Sequence, residues 1–229
     1  DYSSKDGKRS SHYVYLSAND VLKICSALLL VASRNGGAAE GKPSGTVQIR
    51  VGLLQRYGNQ IMGIPVAKIT SMLDVLAMCG VATINDSNSA SEVLLNDTDT
   101  LEQFIGYLNE ENLLEPSKRH DVSLKGYLIM TLIHKHIDKY PKDAVSGKTK
   151  VNMAEIKTLE TKTLGKDPFR MDEFPELVNL GYCTQIQILS TEAAFTDVDA
   201  ESFKKAFKMQ KITKAVEFTN EQKGQGHKK

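Results

Sequence analysis

The segment of this 229-residue chain that comes closest to a catalytic motif is the glycine-rich stretch GGAAEGKPS at residues 36–44. Gly36, Gly41 and Lys42 have the spacing of the phosphate-binding loop GxxxxGK[S/T], in which backbone N–H groups and a lysine hold nucleotide phosphates. Pro43 stands where that loop has the hydroxyl that binds magnesium, and proline also lacks a backbone N–H. An ordinary loop is therefore the preferred interpretation, with a nucleotide-binding enzyme as a minor alternative.

Histidine and cysteine residues form no arrangement suited to metal binding or nucleophilic catalysis in this sequence. His134 and His136 are two residues apart in a helical pattern, so their side chains point to different sides of the helix. Cys25, Cys79 and Cys183 lie far apart and form no CxxC pair, which excludes a disulfide scaffold and a zinc knuckle. We predict reduced thiols, no catalytic residue, no metal, no cofactor, and an intracellular protein of the nucleus or the cytoplasm.

Lysines are concentrated in two parts of the second half of the chain. Residues 203–229 contain eight lysines against two glutamates, and residues 142–170 contain seven cations against four anions. Clustered cations of this kind contact nucleic-acid phosphates, whereas a solvated helix surface with a basic tail is the competing interpretation. The predicted nucleic-acid contacts are Lys148, Lys150, Lys204, Lys205, Lys208, Lys211 and Lys214.

Composition limits the class of protein that carries these lysines. With 41% hydrophobic and 25% charged residues, the chain is of ordinary globular type, which excludes collagen-like, low-complexity and fully disordered classes. The formal net charge of +1 excludes a uniformly basic coat. The longest apolar run, residues 24–32, is far shorter than the roughly 20 residues that cross a bilayer. We predict no membrane span.

Periodic apolar residues predict the elements of the first half of the chain. A helix begins at polar capping residues within 17–20 and ends at the glycines 36–37. Residues 46–58 form either a short strand or the start of a second helix. A further helix begins after Pro65 and ends at Gly80, and two strands joined by a turn follow it.

The second half repeats this order of elements. A helix opens it at residues 124–137, a basic loop follows, and a last helix ends at Gly181 before a strand of alternating residues over 183–188. Gly80 and Gly181 occupy similar local patterns and lie 101 positions apart. These matches predict a duplicated structural unit.

A helix, a short extended segment, two helices and a two-stranded hairpin resemble a winged-helix domain, a variant of the helix-turn-helix with a β-hairpin wing. The resemblance is to this fold pattern and to no specific family. It implies a mainly α fold with small β-hairpins and two winged-helix-like domains in tandem. The predicted division is a flexible arm (1–12), a first domain (13–97), an acidic connector helix (98–116), a second domain (117–198) and a basic amphipathic helix with a tail (199–229).

DNA-binding members of that fold place the last helix before the hairpin in the major groove, where cationic or amide side chains are needed. The helix at 65–79 is neutral on its polar side, and the helix near 172–180 offers Asp172, Glu173 and Glu176, which phosphate would repel. We therefore predict a non-enzymatic module that associates with nucleic acid through its basic C-terminal segment. The alternative is a protein–protein interaction scaffold or complex subunit. A protein partner is expected in either case, and the oligomeric state stays open.

Overall fold

The computed structural model shows a mixed α/β chain, 59% helical and 14% strand. It divides into two compact units, Asp1–Leu114 with Ile212–Lys229 and Glu115–Lys211. The predicted arm at 1–12, Lys42, Pro43 and the break at Pro116 lie outside the described residues. The structure describes residues 14–38, 41, 46–87, 90–113 and 120–225.

The first unit packs helices against an antiparallel sheet of strand order β1-β2-β4-β3. The two alternatives for residues 46–58 both occur, because the chain forms a strand up to Arg50 and enters a helix at Val51. Its elements are α1 (Ala18–Asn35), β1 (Gly37–Ala38), β2 (Val47–Arg50), α2 (Val51–Gln60), α3 (Val66–Met78), β3 (Ala82–Ser87), β4 (Ala90–Leu95) and α4 (Thr98–Leu113).

The start of α1 is fixed by a reciprocal cap. The Ser17 hydroxyl accepts a hydrogen bond from the Asp20 backbone N–H at 3.1 Å, and the Asp20 carboxylate accepts one from the Ser17 N–H at 3.0 Å. The apolar stripe that predicted this helix is buried, including Val21, Ile24 and Leu28. The predicted helix therefore forms with the predicted boundaries.

Helix α4, predicted as a connector, packs on α1 within the first unit. Leu101 and Phe104 are buried, while Glu102 and Glu110 are exposed. Thr100 donates its backbone N–H to the Asp97 carboxylate at 2.9 Å, which satisfies one of the free N–H groups at the helix start. Glu102 and Glu110 thus lie on the outer surface of an amphipathic helix.

The second unit contains a smaller antiparallel sheet of strand order β5-β7-β6. Its last helix, α8, is shared, because residues up to Lys211 belong to this unit and residues from Ile212 onward to the first. Its elements are α5 (Leu124–His136), a 3₁₀ turn (Ile137–Lys139), β5 (Thr149–Asn152), α6 (Met153–Leu164), a 3₁₀ turn (Met171–Glu173), α7 (Pro175–Asn179), β6 (Gln187–Ile188), β7 (Ala194–Val198) and α8 (Ala200–Gln225).

Two predicted elements of this unit are shorter than expected. The predicted strand over 183–188 is reduced to β6, because the Thr184 hydroxyl accepts the Asp197 N–H at 2.8 Å and so replaces a backbone ladder bond. Helix α7 has five residues. It starts at Pro175, which lacks the N–H needed to continue the preceding 3₁₀ turn as one helix.

Apart from the additional strand β1 of the first unit, both units contain a helix, a strand, two helices and two strands in this order. The strand orders β2-β4-β3 and β5-β7-β6 also correspond. Gly80 and Gly181 both have a φ of 76°. The residue after each glycine donates its N–H to a leucine carbonyl, Val81 to Leu76 at 3.0 Å and Tyr182 to Leu177 at 2.9 Å. The two glycine turns at the ends of α3 and α7 therefore have the same local conformation.

Replacing either glycine with alanine should lower the free energy of unfolding by about 1 kcal/mol, because an L side chain is strained at positive φ. A Cβ at Gly80 or Gly181 would meet no atom within 4 Å, so the cost comes from the backbone alone. Urea denaturation followed by circular dichroism measures it. Gly52→Ala, in the exposed first turn of α2, is the control and should leave the unfolding midpoint unchanged or raise it; equal effects at all three positions would contradict this account.

Candidate functional site

Four of the predicted contact lysines lie in the first part of α8, on the second unit. The helix begins where the Asp199 carboxylate accepts the Ser202 N–H at 3.0 Å. Its apolar side, with Phe203 and Phe207, is buried in the core of the unit. Residues spaced by three and four share one side of a helix. Three of the lysines therefore lie along one side, Lys204, Lys208 and Lys211, and the fourth, Lys205, is exposed beside them.

The C-terminal end of α5 adds a histidine to this side of α8. The His134 ring stacks on Phe207 with 4.3 Å between ring centroids and an interplanar angle of 25°. The ring of Tyr127 also stacks on Phe207, with 5.7 Å between ring centroids and an interplanar angle of 9°. The pKa of His134 is lowered first by partial burial and then by Lys204, with smaller contributions from Lys211 and Lys208 and an opposing one from Asp138. The lysine ammonium groups are thus close enough to act on the ring.

Asp138 is the acidic group of this surface that pairs with α8. Its carboxylate lies 2.5 Å from the Lys204 Nζ, and both side chains reach solvent. Exposed pairs of this kind contribute at most about 1 kcal/mol to stability. A phosphate group can therefore replace the carboxylate at little cost in folding energy.

Lys148 lies on the loop between α5 and β5, Lys150 lies in β5, and both are exposed. Residues Lys142 and Thr149 form an isolated antiparallel bridge, and the Asp143 N–H donates to the Lys148 carbonyl at 2.8 Å. The Lys150 Nζ lies 5.4 Å from the centroid of the Phe195 ring, a cation–π distance. The loop is therefore an ordered hairpin that carries its lysines outward.

This hairpin lies next to the start of α8. The pKa of Asp199 is lowered mainly by the Ser202 N–H and, to a smaller extent, by Lys142. The pKa of Asp143 is lowered mainly by the hydrogen bonds from Ser146 and, to a smaller extent, by Lys150. We call the set the basic surface of the second unit: His134, Lys142, Lys148, Lys150, Lys204, Lys205, Lys208 and Lys211.

Lys214 does not join this basic surface. It belongs to the first unit, is only 7% exposed, and its Nζ lies 2.8 Å from the Glu217 carboxylate. A buried lysine that pairs with a carboxylate one turn away on the same helix has a structural role and does not contact a ligand. The structure thus separates Lys214 from the other six predicted contacts.

The helices that precede the two hairpins carry no cationic surface. On α3, the Lys68 Nζ is held by the Asp20 carboxylate at 2.6 Å. The Glu176 carboxylate of α7 accepts hydrogen bonds from the Ser123 N–H and hydroxyl, both at 2.6 Å. Glu173 pairs with Lys125 at 2.5 Å. Glu173 and Glu176 therefore hold the segment before the second hairpin against the start of α5.

The chain matches no known family model, no curated protein and no solved structure. Across the part of the chain that the structure describes, no helix is both long enough and apolar enough to cross a membrane. The same residues contain no group of three histidine, cysteine or acidic side chains that could hold a metal ion.

Cys183 is buried, and burial raises the pKa of its thiol to about 11, as expected of a packing residue.

The position of His134 in the basic surface was not predicted, because a histidine near the end of a helix is usually a solvated residue. Its contact with Phe207 joins two helices that are more than sixty residues apart in the sequence. No local pattern reveals such a contact. The lysine-rich loop and the spacing of Lys204, Lys208 and Lys211 were visible in the sequence.

Proposed function

We propose that the protein is a non-enzymatic tandem of two winged-helix-like units that binds the nucleic-acid backbone through the basic surface of the second unit. The repeated order of helices and strands supports the winged-helix-like assignment. The observation that carries the binding proposal is the convergence of α8, the end of α5 and the lysine hairpin on one region. His134 stacks on Phe207, and Lys204 pairs with Asp138. Thr149, at the end of the hairpin, pairs with Val198 just before α8.

The expected mode of binding is electrostatic and tolerant of sequence. Lysine ammonium groups contact phosphates, and each such contact releases condensed counterions. Base reading in this fold relies on the helix before the hairpin. Here, α3 and α7 present neutral or acidic side chains that are engaged within their own units. We therefore expect affinity that falls steeply with salt and changes little with DNA sequence.

Exchanging Lys148 and Lys150 for glutamine should lower duplex DNA affinity about fivefold and reduce the slope of log affinity against log salt by up to about 2. Both side chains are exposed, so folding should not change. Fluorescence anisotropy of labelled duplex and single-stranded DNA, at about 0.05 M and about 0.15 M salt, measures this. Lys162→Gln with Lys166→Gln, an equal loss of exposed charge outside the basic surface, is the control. No binding of the unaltered protein at low salt would refute the proposed function.

Deleting residues 203–229 is unsuitable as a test. Phe203 and Phe207 belong to the core cluster of the second unit, so their loss would unfold it. Substitutions of exposed lysines remove charge without touching that core. The experiment therefore uses the full chain.

Protein docking is the second candidate function, and an exposed apolar edge favours it. Ile188 and Leu189, at the outer strand of the second sheet, are 66% and 70% exposed. Ile188 borders a cleft of about 610 Å³ between α6 and the β6–β7 hairpin, and residues 177–191 contain no charged side chain. This function predicts self-association, measured by sedimentation, that Ile188→Asp abolishes, together with no DNA affinity.

A further inference from the structure

Within the basic surface, the half-buried ring of His134 belongs to α5 and packs against α8. It is part of α5 and lies 4.3 Å from Phe207 of α8, centroid to centroid. Phe207 is itself fixed in the core and stacked on Tyr127. The imidazole therefore has a defined position beside the lysines, while part of it remains open to solvent.

Charged groups of every element around the ring act on its protonation. Lys204, Lys208 and Lys211 of α8 disfavour an additional positive charge, and Asp138 of the following 3₁₀ turn favours it. With partial burial added, the pKa of His134 lies below its usual 6.5. The imidazole is consequently neutral near pH 7 in the free protein. A bound anion would add negative charge beside the imidazole and so raise its pKa.

We propose that His134 is a phosphate-contacting residue that takes up a proton when a phosphodiester binds beside Lys204, Lys208 and Lys211. The inference rests on the proposed function and specifies its ligand contact and its pH dependence. In the bound state, the protonated imidazole donates a hydrogen bond to a phosphate oxygen, and the phosphate charge offsets the three ammonium groups.

The sign of the pH dependence follows from proton linkage. A phosphodiester raises the pKa of His134, so the complex binds more protons than the free protein. Affinity must then increase as the pH falls through the pKa of the complex. Each unit by which binding raises this pKa corresponds to about a tenfold gain in affinity at low pH. Phosphodiesters stay ionised throughout this range, so the DNA contributes no competing titration at its backbone.

The test is duplex DNA anisotropy between about pH 5.5 and about pH 8 at constant ionic strength, with the unaltered chain and with His134→Phe. Phenylalanine keeps a ring stacked on Phe207 but cannot titrate. We expect the unaltered chain to bind several-fold more tightly at the lower pH, and His134→Phe to lose that difference. His120→Gln, an exposed histidine outside the basic surface, is the control and should keep the full pH dependence.

The outcomes separate this inference from the proposed function. Binding that is independent of pH, or a pH dependence that His134→Phe retains, would overturn the role of His134 and leave nucleic-acid binding intact. A complete lack of binding at low salt and any pH would overturn the proposed function itself.

Discussion

Exchanging Lys204, Lys208 and Lys211 together for glutamine should weaken duplex DNA binding on the order of one hundredfold at about 0.05 M salt. The three lysines are spaced by four and three residues and so lie on one side of α8, where they share one stretch of the proposed binding surface. Each lost phosphate contact removes about 0.9 from the slope of log affinity against log salt. The triple variant should therefore show both lower affinity and a flatter salt dependence, measured by anisotropy titrations over a series of salt concentrations.

A matched variant separates a local effect from a general loss of charge. Lys23→Gln, Lys162→Gln and Lys166→Gln remove three exposed lysines that lie outside the basic surface. This control should bind with nearly unchanged affinity. Equal weakening in both triple variants would mean that the chain binds DNA through diffuse charge, and the basic surface would then have no special role.

Glu160→Ala should lower the free energy of unfolding by about 3 kcal/mol. Glu160 and His136 are each only 4% exposed, and the His136 Nε2 donates to the Glu160 Oε1 at 2.5 Å. The Lys135 Nζ donates to the same oxygen at 2.7 Å. Alanine would leave the buried imidazole without its acceptor and open a cavity between α5 and α6. Urea denaturation at neutral pH measures the loss.

Glu160→Gln and the pH dependence of unfolding identify the cause of the stability loss in Glu160→Ala. Glu160→Gln keeps an acceptor oxygen in place and should cost less than half as much as Glu160→Ala. The pKa of Glu160 is lowered first by its hydrogen bond from Lys135 and next by that from His136. The ionised carboxylate therefore adds stability above its unfolded-state pKa, and that stability is lost as the pH falls through its lower folded-state pKa. Identical losses in both variants would assign the effect to the charge of the carboxylate, because glutamine fills the same volume as glutamate.

Local signals in the sequence were sufficient for α1 and α3 of the first unit. Ser17 and Asp20 form the cap that starts α1, and Gly80 takes the positive φ that ends the turn after α3. Both depend on residues that are neighbours in the sequence. The same holds for Gly181, so the repeat was recognisable before any contact was known.

Elements that depend on distant contacts were predicted less well. The short β6 follows from the hydroxyl of Thr184, which replaces a ladder bond with β7. Alternation of apolar residues contains no information on such a replacement. The basic surface was predicted in part: the lysines were counted correctly, but Lys214 turned out to be buried and paired with Glu217. The spacing of the lysines in the sequence does not show that this one is buried.

The division of α8 between the units has a consequence for the order of synthesis. The Asn220 amide donates to the Leu16 carbonyl at 2.8 Å, and its oxygen accepts the Leu16 N–H at 3.0 Å, so the end of α8 completes the first unit at the start of α1. A ribosome makes residues 212–225 only after the whole of Glu115–Lys211. The N-terminal unit must therefore wait for its last helix while the second unit emerges, although domains usually fold in the order of their translation.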